Sequence, residues 1–395
     1  MRPITLVASL LALAASPGAA SPAAAAFEAC VAELERAAIA RGVTADVAAE
    51  AFAAAERDDR VLELADRRPE FTLEIWDYLA FLVDAERIAD GRAALAENRE
   101  LLAEIEAAYG VDRHVVLAIW GIETDYGRRT GDHFLPHSLT TLVCAGERRR
   151  DFWRGELMAA MELVAAGDLT LDELYGSWAG AFGHTQFIPT SYRRLAVDFD
   201  GDGRRDLVRS IPDALASTAN YLKRAGWRTG APFMIEVTVP AGYGGPVGRD
   251  ADAPLASWDA RGVRRADGAR LGGEGEAGLL LPAGADGPGF LVFANFDAIY
   301  AYNHAESYAL AISHLADRIA GYPPLRTPWP TDDPGLSRAE RRELQERLIA
   351  AGFDIGEVDG LIGPNTRAAI RAAEERFGME PTGRAGRRIL EALGG

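Results

Sequence analysis

The stretch Ala118–Arg128, AIWGIETDYGR, carries an apolar run into a carboxylate, Glu123, and then into a tight turn at Tyr126-Gly127. Together with the residues before it, NRELLAEIEAAYGVDRHVVLAIWGIE from Asn98, it sets apolar side chains at helical spacing. Gly110 divides the run into two helices, as a C-terminal glycine does. The second helix is apolar on most faces (Val115, Val116, Leu117, Ile119, Trp120, Ile122), so its end is expected against the core. A carboxyl group held against Trp and aliphatic side chains loses hydration, and its pKa rises toward neutrality. Such a group stays protonated and can donate to a glycosidic oxygen. A solvated helix-end carboxylate is the commoner fate of an arbitrary Glu. Asp125 is no obvious partner, because two residues along a helix point to different faces. A two-carboxylate glycosidase would need its second group from elsewhere.

The helical spacing extends from Phe27 to about Leu222 and changes after Trp227, where FMIEVTVP alternates and Gly/Pro-rich segments follow. Helical spacing returns in NHAESYALAISHLADRIAGY. The Pro-rich YPPLRTPWPTDDPG (Tyr322–Gly335) reads as a semi-extended linker, poorly suited to a core. About sixty residues of helical pattern close the chain. The expected fold is α+β and mainly helical: a leader at 1–26, a large domain at 27–321 with a β-containing insertion at 228–295, a linker at 322–335, and a small helical module at 336–395.

A net charge of -17 over 395 residues argues against nucleic-acid binding, which wants clustered Lys and Arg. The one dense basic run, GERRR at Gly146–Arg150, reads as a solvated turn. The N-terminus has one Arg, a short apolar stretch (Ile4–Ala15) and then small residues, the pattern of a secretory signal cleaved after Ala20 or Ala26. That stretch is too short for a permanent membrane span. In an oxidising compartment Cys30 and Cys144 most simply form one disulfide; two separate buried thiols are the alternative.

The chain holds no G-x-S-x-G elbow, H-E-x-x-H, P-loop or dinucleotide fingerprint. Three other segments carry chemistry. GSWAGAFGHTQFIPTSY (Gly176–Tyr192) combines glycines, the neutral hydrogen-bonding groups of Ser177, Gln186 and Tyr192, and aromatic faces. That mixture suits a sugar polymer, though a Gly-rich helix contact fits as well. DFDGDGRRD (Asp198–Asp206) sets Asp198, Asp200 and Asp202 at alternate positions before Gly203, the opening half of an EF-hand calcium loop. Arg209 stands where the closing Glu would be. Asp213 is the candidate for closing a longer loop, with the Arg204 carbonyl as a further ligand. Three carboxylates this close are costly without a cation, so a structural Ca2+ is favoured over a plain Asp/Gly turn. In YAYNHAESY, Asn303 with Glu306 reads as a helix start with a box-like cap, and Tyr302 and Tyr308 also fit core aromatics.

These pieces, with ALASTANYLKRAGW between the last two, occur in this order in the B-type lytic murein transglycosylases, which the chain resembles over most of Phe27–Tyr322. The tail resembles a three-helix peptidoglycan-binding module over about Leu336–Leu393, its D-G-x-x-G-P-x-T signature falling on Asp359, Gly360, Gly363, Pro364 and Thr366. The resemblance implies a lysozyme-like catalytic domain that cuts the MurNAc-β-1,4-GlcNAc bond of peptidoglycan strands without consuming water. It places Glu123 as the single catalytic acid/base, with Ser177, Gln186, Tyr221, Tyr302, Asn303 and Tyr308 in the substrate cleft. It also implies a calcium loop at Asp198–Asp202, no catalytic cofactor, and a periplasmic, monomeric protein. The tail's AAIRAAEERFG lacks the aromatic-Gln ending common in such modules, so a merely structural module fits too. The alternatives are a muramidase hydrolysing the same bond, which needs a second carboxylate about 5–9.5 Å from the first, and a non-catalytic peptidoglycan-binding protein.

Overall fold

The computed structural model describes residues 21–65 and 73–394, so most of the expected leader lies outside the described residues. The first described helix, Pro22–Ile39, starts at a proline, and Ser21 Oγ accepts the Ala24 N–H at 3.2 Å. It packs with the helices Leu135–Cys144 and Arg150–Ala165 around Leu34, Leu139, Met158 and Met161. Cys30 and Cys144 are joined by a disulfide, Cα–Cα 5.8 Å, which fastens the first of these helices to the second.

A second core surrounds the helix Arg113–Thr124. Its residues Val115 to Trp120 are buried, packed against the helices Ile211–Arg224 and Glu306–Ala320 through Leu215, Leu222, Ile312 and Leu315. Each fully buried aliphatic side chain of this kind contributes about 1.5–3 kcal/mol. The helix is thus held all round, and its C-terminal end is fixed in space.

Between the last two of those helices the chain forms a five-stranded antiparallel sheet. Its strands are β3 (Met234–Thr238), β4 (Gly248–Pro254), β5 (Arg264–Arg265), β6 (Glu276–Leu280) and β7 (Gly289–Val292), in the order β4-β6-β7-β3-β5. Leu291 pairs with both Ile235 and Leu279. The small core of this unit centres on Trp258, Leu279 and Leu291. Two short strands, β1 (His133–Phe134) and β2 (Tyr175–Gly176), pair separately, His133 with Gly176 and Phe134 with Tyr175.

The C-terminal module contains the helices Arg338–Ala350, Pro364–Arg376 and Arg387–Ala392 around Leu344, Leu348, Ile370 and Ile389. The Pro-rich segment before it is not a free spacer, contrary to the expectation from composition. Leu325 and Trp329 pack on the large domain, Trp329 meets Trp76 at 6.4 Å between ring centroids, and the Arg326 and Thr327 N–H groups donate to the Glu236 carboxylate. Proline fixes the backbone without preventing burial of the apolar residues between.

Candidate active site

Glu123 lies in the last turn of the helix Arg113–Thr124. Asp125 caps that helix in the left-handed region (φ 53°), and Tyr126 (φ 60°) and Gly127 (φ 85°) continue in it. A Cβ on Gly127 would lie 2.6 Å from His184 Nδ1, so the close approach of the turn to His184 requires glycine. Thr124 ties the same place down, its hydroxyl donating to the His184 carbonyl at 2.6 Å and accepting the Gly127 N–H at 3.0 Å.

Glu123 as a residue is half-buried, yet protein surrounds its carboxyl closely enough that loss of hydration pushes the pKa from 4.5 to about 7. The opposing influence is Tyr308, whose hydroxyl donates to Oε1 at 2.5 Å and favours the charged form. Tyr308 is 2% exposed, and burial together with the neighbouring Glu123 keeps its phenol protonated. Its ring stacks on Tyr302 at 6.4 Å between centroids; Tyr302 meets Tyr221 at 4.7 Å and Phe187 at 5.9 Å. Tyr302 donates to the Thr185 carbonyl at 2.8 Å and Tyr221 to the Ala301 carbonyl at 2.7 Å. The fold therefore gathers Glu123, Tyr221, Tyr302 and Tyr308 from four helices. Asp125 faces elsewhere, toward Arg128 and Arg338.

The remaining candidates sit differently. Ser177 Oγ accepts the Ala181 N–H at 3.1 Å and closes the turn after β2. Gln186, itself at φ 53°, donates Nε2 to the carbonyls of Thr130 (2.9 Å) and Gly183 (3.1 Å), pinning its segment to the loop after the helix Arg113–Thr124. Asn303 is exposed and ends the helix Ala294–Asn303; it does not start the next one. The expected cap fails because His304 turns left-handed (φ 56°) and Ala305 takes the N-cap position, without a side-chain bond. His184, Thr185 and Phe187 belong to the site region but carry no pattern beyond their place in the Gly-rich segment.

The acidic loop brings together oxygens of Asp198, Asp200 and Asp202 within 4.8 Å of one another, all three residues exposed. Asp213 is not among them. It is fully buried, and its two oxygens accept the N–H groups of Phe199 (2.7 Å), Asp200 (3.3 Å) and Asp206 (2.8 Å), so it anchors the loop from behind. The Arg204 N–H donates to Asp202 Oδ1 at 2.8 Å. In the C-terminal module, Asp359 Oδ1 accepts from Gln345 Nε2 at 2.9 Å and from the Leu361 N–H at 2.7 Å. Gly363 precedes the helix Pro364–Arg376, and Thr366 is buried. The signature thus builds a loop, and Val358 and Leu361 on it are the exposed apolar residues. A cavity of about 760 Å³ lies at the far end of the helix Arg113–Thr124 among Asp112, Trp227 and Asp317, and none of the candidate site residues lines it.

A carboxyl with a raised pKa, bonded to a tyrosine, thus closes an apolar helix. The Transglycosylase SLT domain family model matches residues 26–317, and a peptidoglycan binding domain model matches residues 337–393. The chain belongs to the transglycosylase SLT family. It is 31% identical over 283 residues to the membrane-bound lytic murein transglycosylase B of Escherichia coli (strain K12), covering 69% of this chain and 77% of that one. SltB3 from Pseudomonas aeruginosa, solved in complex with NAG-NAM-pentapeptide, is similar at TM-score 0.74 and 44% identity, covering 93% of this chain and 99% of that chain. The Escherichia coli lytic transglycosylase Slt35, solved in complex with calcium, is similar at TM-score 0.65 and 29% identity over 76% of this chain and 93% of that chain. This transglycosylase SLT protein is an enzyme that cleaves peptidoglycan glycan strands, built on the lysozyme-like fold with a wall-binding module attached.

Proposed function

We propose that Glu123 acts alone as acid and then base, releasing a 1,6-anhydroMurNAc end. The observation that carries this reading is the electrostatic environment of Glu123. Its pKa is set by burial and by Tyr308, and among the described residues no second carboxylate contributes. Hydrolysis by the two-carboxylate route would need such a partner. Protonated Glu123 donates to the leaving GlcNAc oxygen while positive charge develops at the MurNAc C1. The carboxylate so formed, held by the Tyr308 hydroxyl, takes the proton from that sugar's C6 hydroxyl as its oxygen closes on C1. The nucleophile belongs to the substrate, which gives the step the advantage of an intramolecular reaction. Mass spectrometry of products from purified peptidoglycan tests this. Products one water lighter than reducing-end muropeptides, absent with Glu123→Gln, are expected; reducing-end products would mean hydrolysis.

The Asp198–Asp202 loop fits a structural Ca2+. Asp198, Asp200 and Asp202 would hold it, because three converging, exposed carboxylates suit a hard cation and Arg204 and Arg209 are engaged by Glu173. Such an ion supplies charge neutralisation to the loop and no catalytic step. Ser177, Gln186, Tyr221, Tyr302 and Asn303 remain the candidate cleft residues, and Asp359, Gly363 and Thr366 shape the wall-binding loop. We place the protein in the periplasm. The disulfide supports an oxidising compartment, and among the described residues no helix is long and apolar enough to cross a membrane. Cleavage after Ala20 would leave the Ser21 cap of the first helix in place, whereas cleavage after Ala26 would remove it.

A further inference from the structure

We propose that Arg338, the first residue of the first helix of the C-terminal module, is a positioning residue for Glu123, so that the wall-binding module is mechanically part of the active centre. The proposal rests on the reading of Glu123 as the acid/base.

Arg338 reaches across the domain boundary with its whole guanidinium. Nε and Nη2 donate to Asp84 at 2.8 and 3.0 Å, and Nη1 donates to Asp125 Oδ1 at 2.7 Å. Its backbone N–H adds a bond to Asp84 Oδ2 at 3.1 Å. The side chains are nearly closed to solvent, at 12% for Arg338, 2% for Asp84 and 15% for Asp125. Asp84 caps the helix Ala85–Glu97 by accepting the Arg87 N–H at 2.8 Å. The Arg87 guanidinium stands 3.8 Å from Asp125 and donates to the carbonyls of Phe81 and Leu82. Two aspartates and two arginines therefore alternate in one buried cluster. Without Arg338, Asp84 would lose its guanidinium partner where little water can replace it.

The cluster matters because of what Asp125 is. It begins a run of three left-handed residues, Asp125, Tyr126 and Gly127, of which two are not glycine. Backbone of this kind persists only where its surroundings hold it. Here the holders are Arg338, Arg128 and Arg87 on the Asp125 carboxylate, and the Arg87 carbonyl, which accepts the Tyr126 hydroxyl at 2.9 Å. Glu123 lies two residues upstream of the clamp. A shift of the turn moves Glu123 against Tyr308 and against the sugar, and misplacement by about 1 Å can cost about a hundredfold in rate. The module's other ion pairs dock it without touching the turn. Arg342 pairs with Glu86 at 2.5 Å, both side chains well exposed, and Arg384 pairs with Asp77 at 2.6 Å.

The test uses the full chain with Arg338→Ala, Arg338→Lys, Arg342→Ala and Arg384→Ala. The readouts are kcat and KM on a soluble glycan strand, retention on insoluble wall, and far-UV circular dichroism. Arg338→Ala is expected to lose about tenfold to a hundredfold in kcat with KM and wall retention unchanged. Arg338→Lys should recover part of the loss, since a point charge can serve one aspartate at a time. Arg342→Ala and Arg384→Ala should keep the wild-type kcat. Wild-type kcat in folded Arg338→Ala overturns the proposal. So does an equal loss in Arg384→Ala, which would make docking in general the cause. If Arg338→Ala does not fold, Arg338→Lys decides: a lowered kcat with a native spectrum supports the role, and an unchanged kcat removes it. Glu123→Gln measured alongside separates the two readings, because retained activity there removes the acid/base assignment whatever Arg338 does.

Discussion

The Tyr308 hydroxyl donates to Glu123 Oε1 at 2.5 Å across 185 residues of sequence, and this one bond works against the burial that surrounds it. Burial raises the Glu123 pKa and the bond lowers it, leaving a group at about 7 that can both give and take a proton.

Tyr308→Phe removes the influence that favours the carboxylate. The Glu123 pKa should rise, and the alkaline limb of the pH–rate profile, where the acid is lost, should move to higher pH. The rate itself should fall about tenfold, the scale of one hydrogen bond to a charged group. A profile on soluble glycan between pH 5 and pH 9 checks both. An alkaline limb that stays in place would mean that Tyr308 does not set the Glu123 titration.

Glu123→Gln should abolish turnover and also stabilise the protein in a pH-dependent way. The folded pKa of about 7 lies above the ordinary glutamate value of 4.5, so the folded state holds the proton that the unfolded state releases. Wild-type stability therefore falls as pH rises from about 4.5 to about 7 and stays lower above it. The glutamine variant carries no such loss. Its Tm should exceed that of wild type at pH 8 and match it near pH 4.5; equal Tm values at both would show that the carboxyl is well hydrated.

How much of this is legible in the sequence follows from the range of each interaction. Glu123 can be read because burial of the helix before it is written locally, in consecutive apolar residues ending on a carboxylate. The acidic trio can be read because its spacing is its geometry. Asp213 misleads, since spacing puts it within reach of the loop but cannot say that its oxygens face backbone N–H groups. Asn303 misleads for a similar reason: the left-handed break at His304 sits one residue later than the cap pattern suggests. Arg338 has no local signal at all, because its partner Asp125 is 213 residues away.

The Cys30–Cys144 bond ties two helices of the first core and closes a sequence separation of 114 residues. Replacing both by Ser should cost about 2–4 kcal/mol. Tyr308 and the helix that carries Glu123 belong to the other core, so kcat at a temperature well below the transition should be preserved. Denaturant unfolding with and without reductant checks the stability; a reductant-insensitive wild type would remove the disulfide from the account.

Calcium should act on the same enzyme through the loop and not through the chemistry. The Asp198–Asp202 carboxylates repel one another unless a cation sits among them, and the loop they form continues into Leu207, whose carbonyl accepts the His184 N–H at 2.9 Å. Next to His184, the Thr185 carbonyl receives the Tyr302 hydroxyl, so loosening the loop loosens one wall of the aromatic group around Glu123. Adding Ca2+ to chelated protein should raise stability by about 2.7 kcal/mol when the free ion is a hundredfold above its Kd. Asp200→Asn should abolish that shift while changing the chelated protein little. Asp213→Asn should instead destabilise the protein with or without Ca2+, because it breaks backbone bonds and not an ion site. Thermal melts of the three proteins with chelator, Ca2+ and Mg2+ distinguish the roles. A Ca2+ shift that persists in Asp200→Asn would place the ion elsewhere in the molecule.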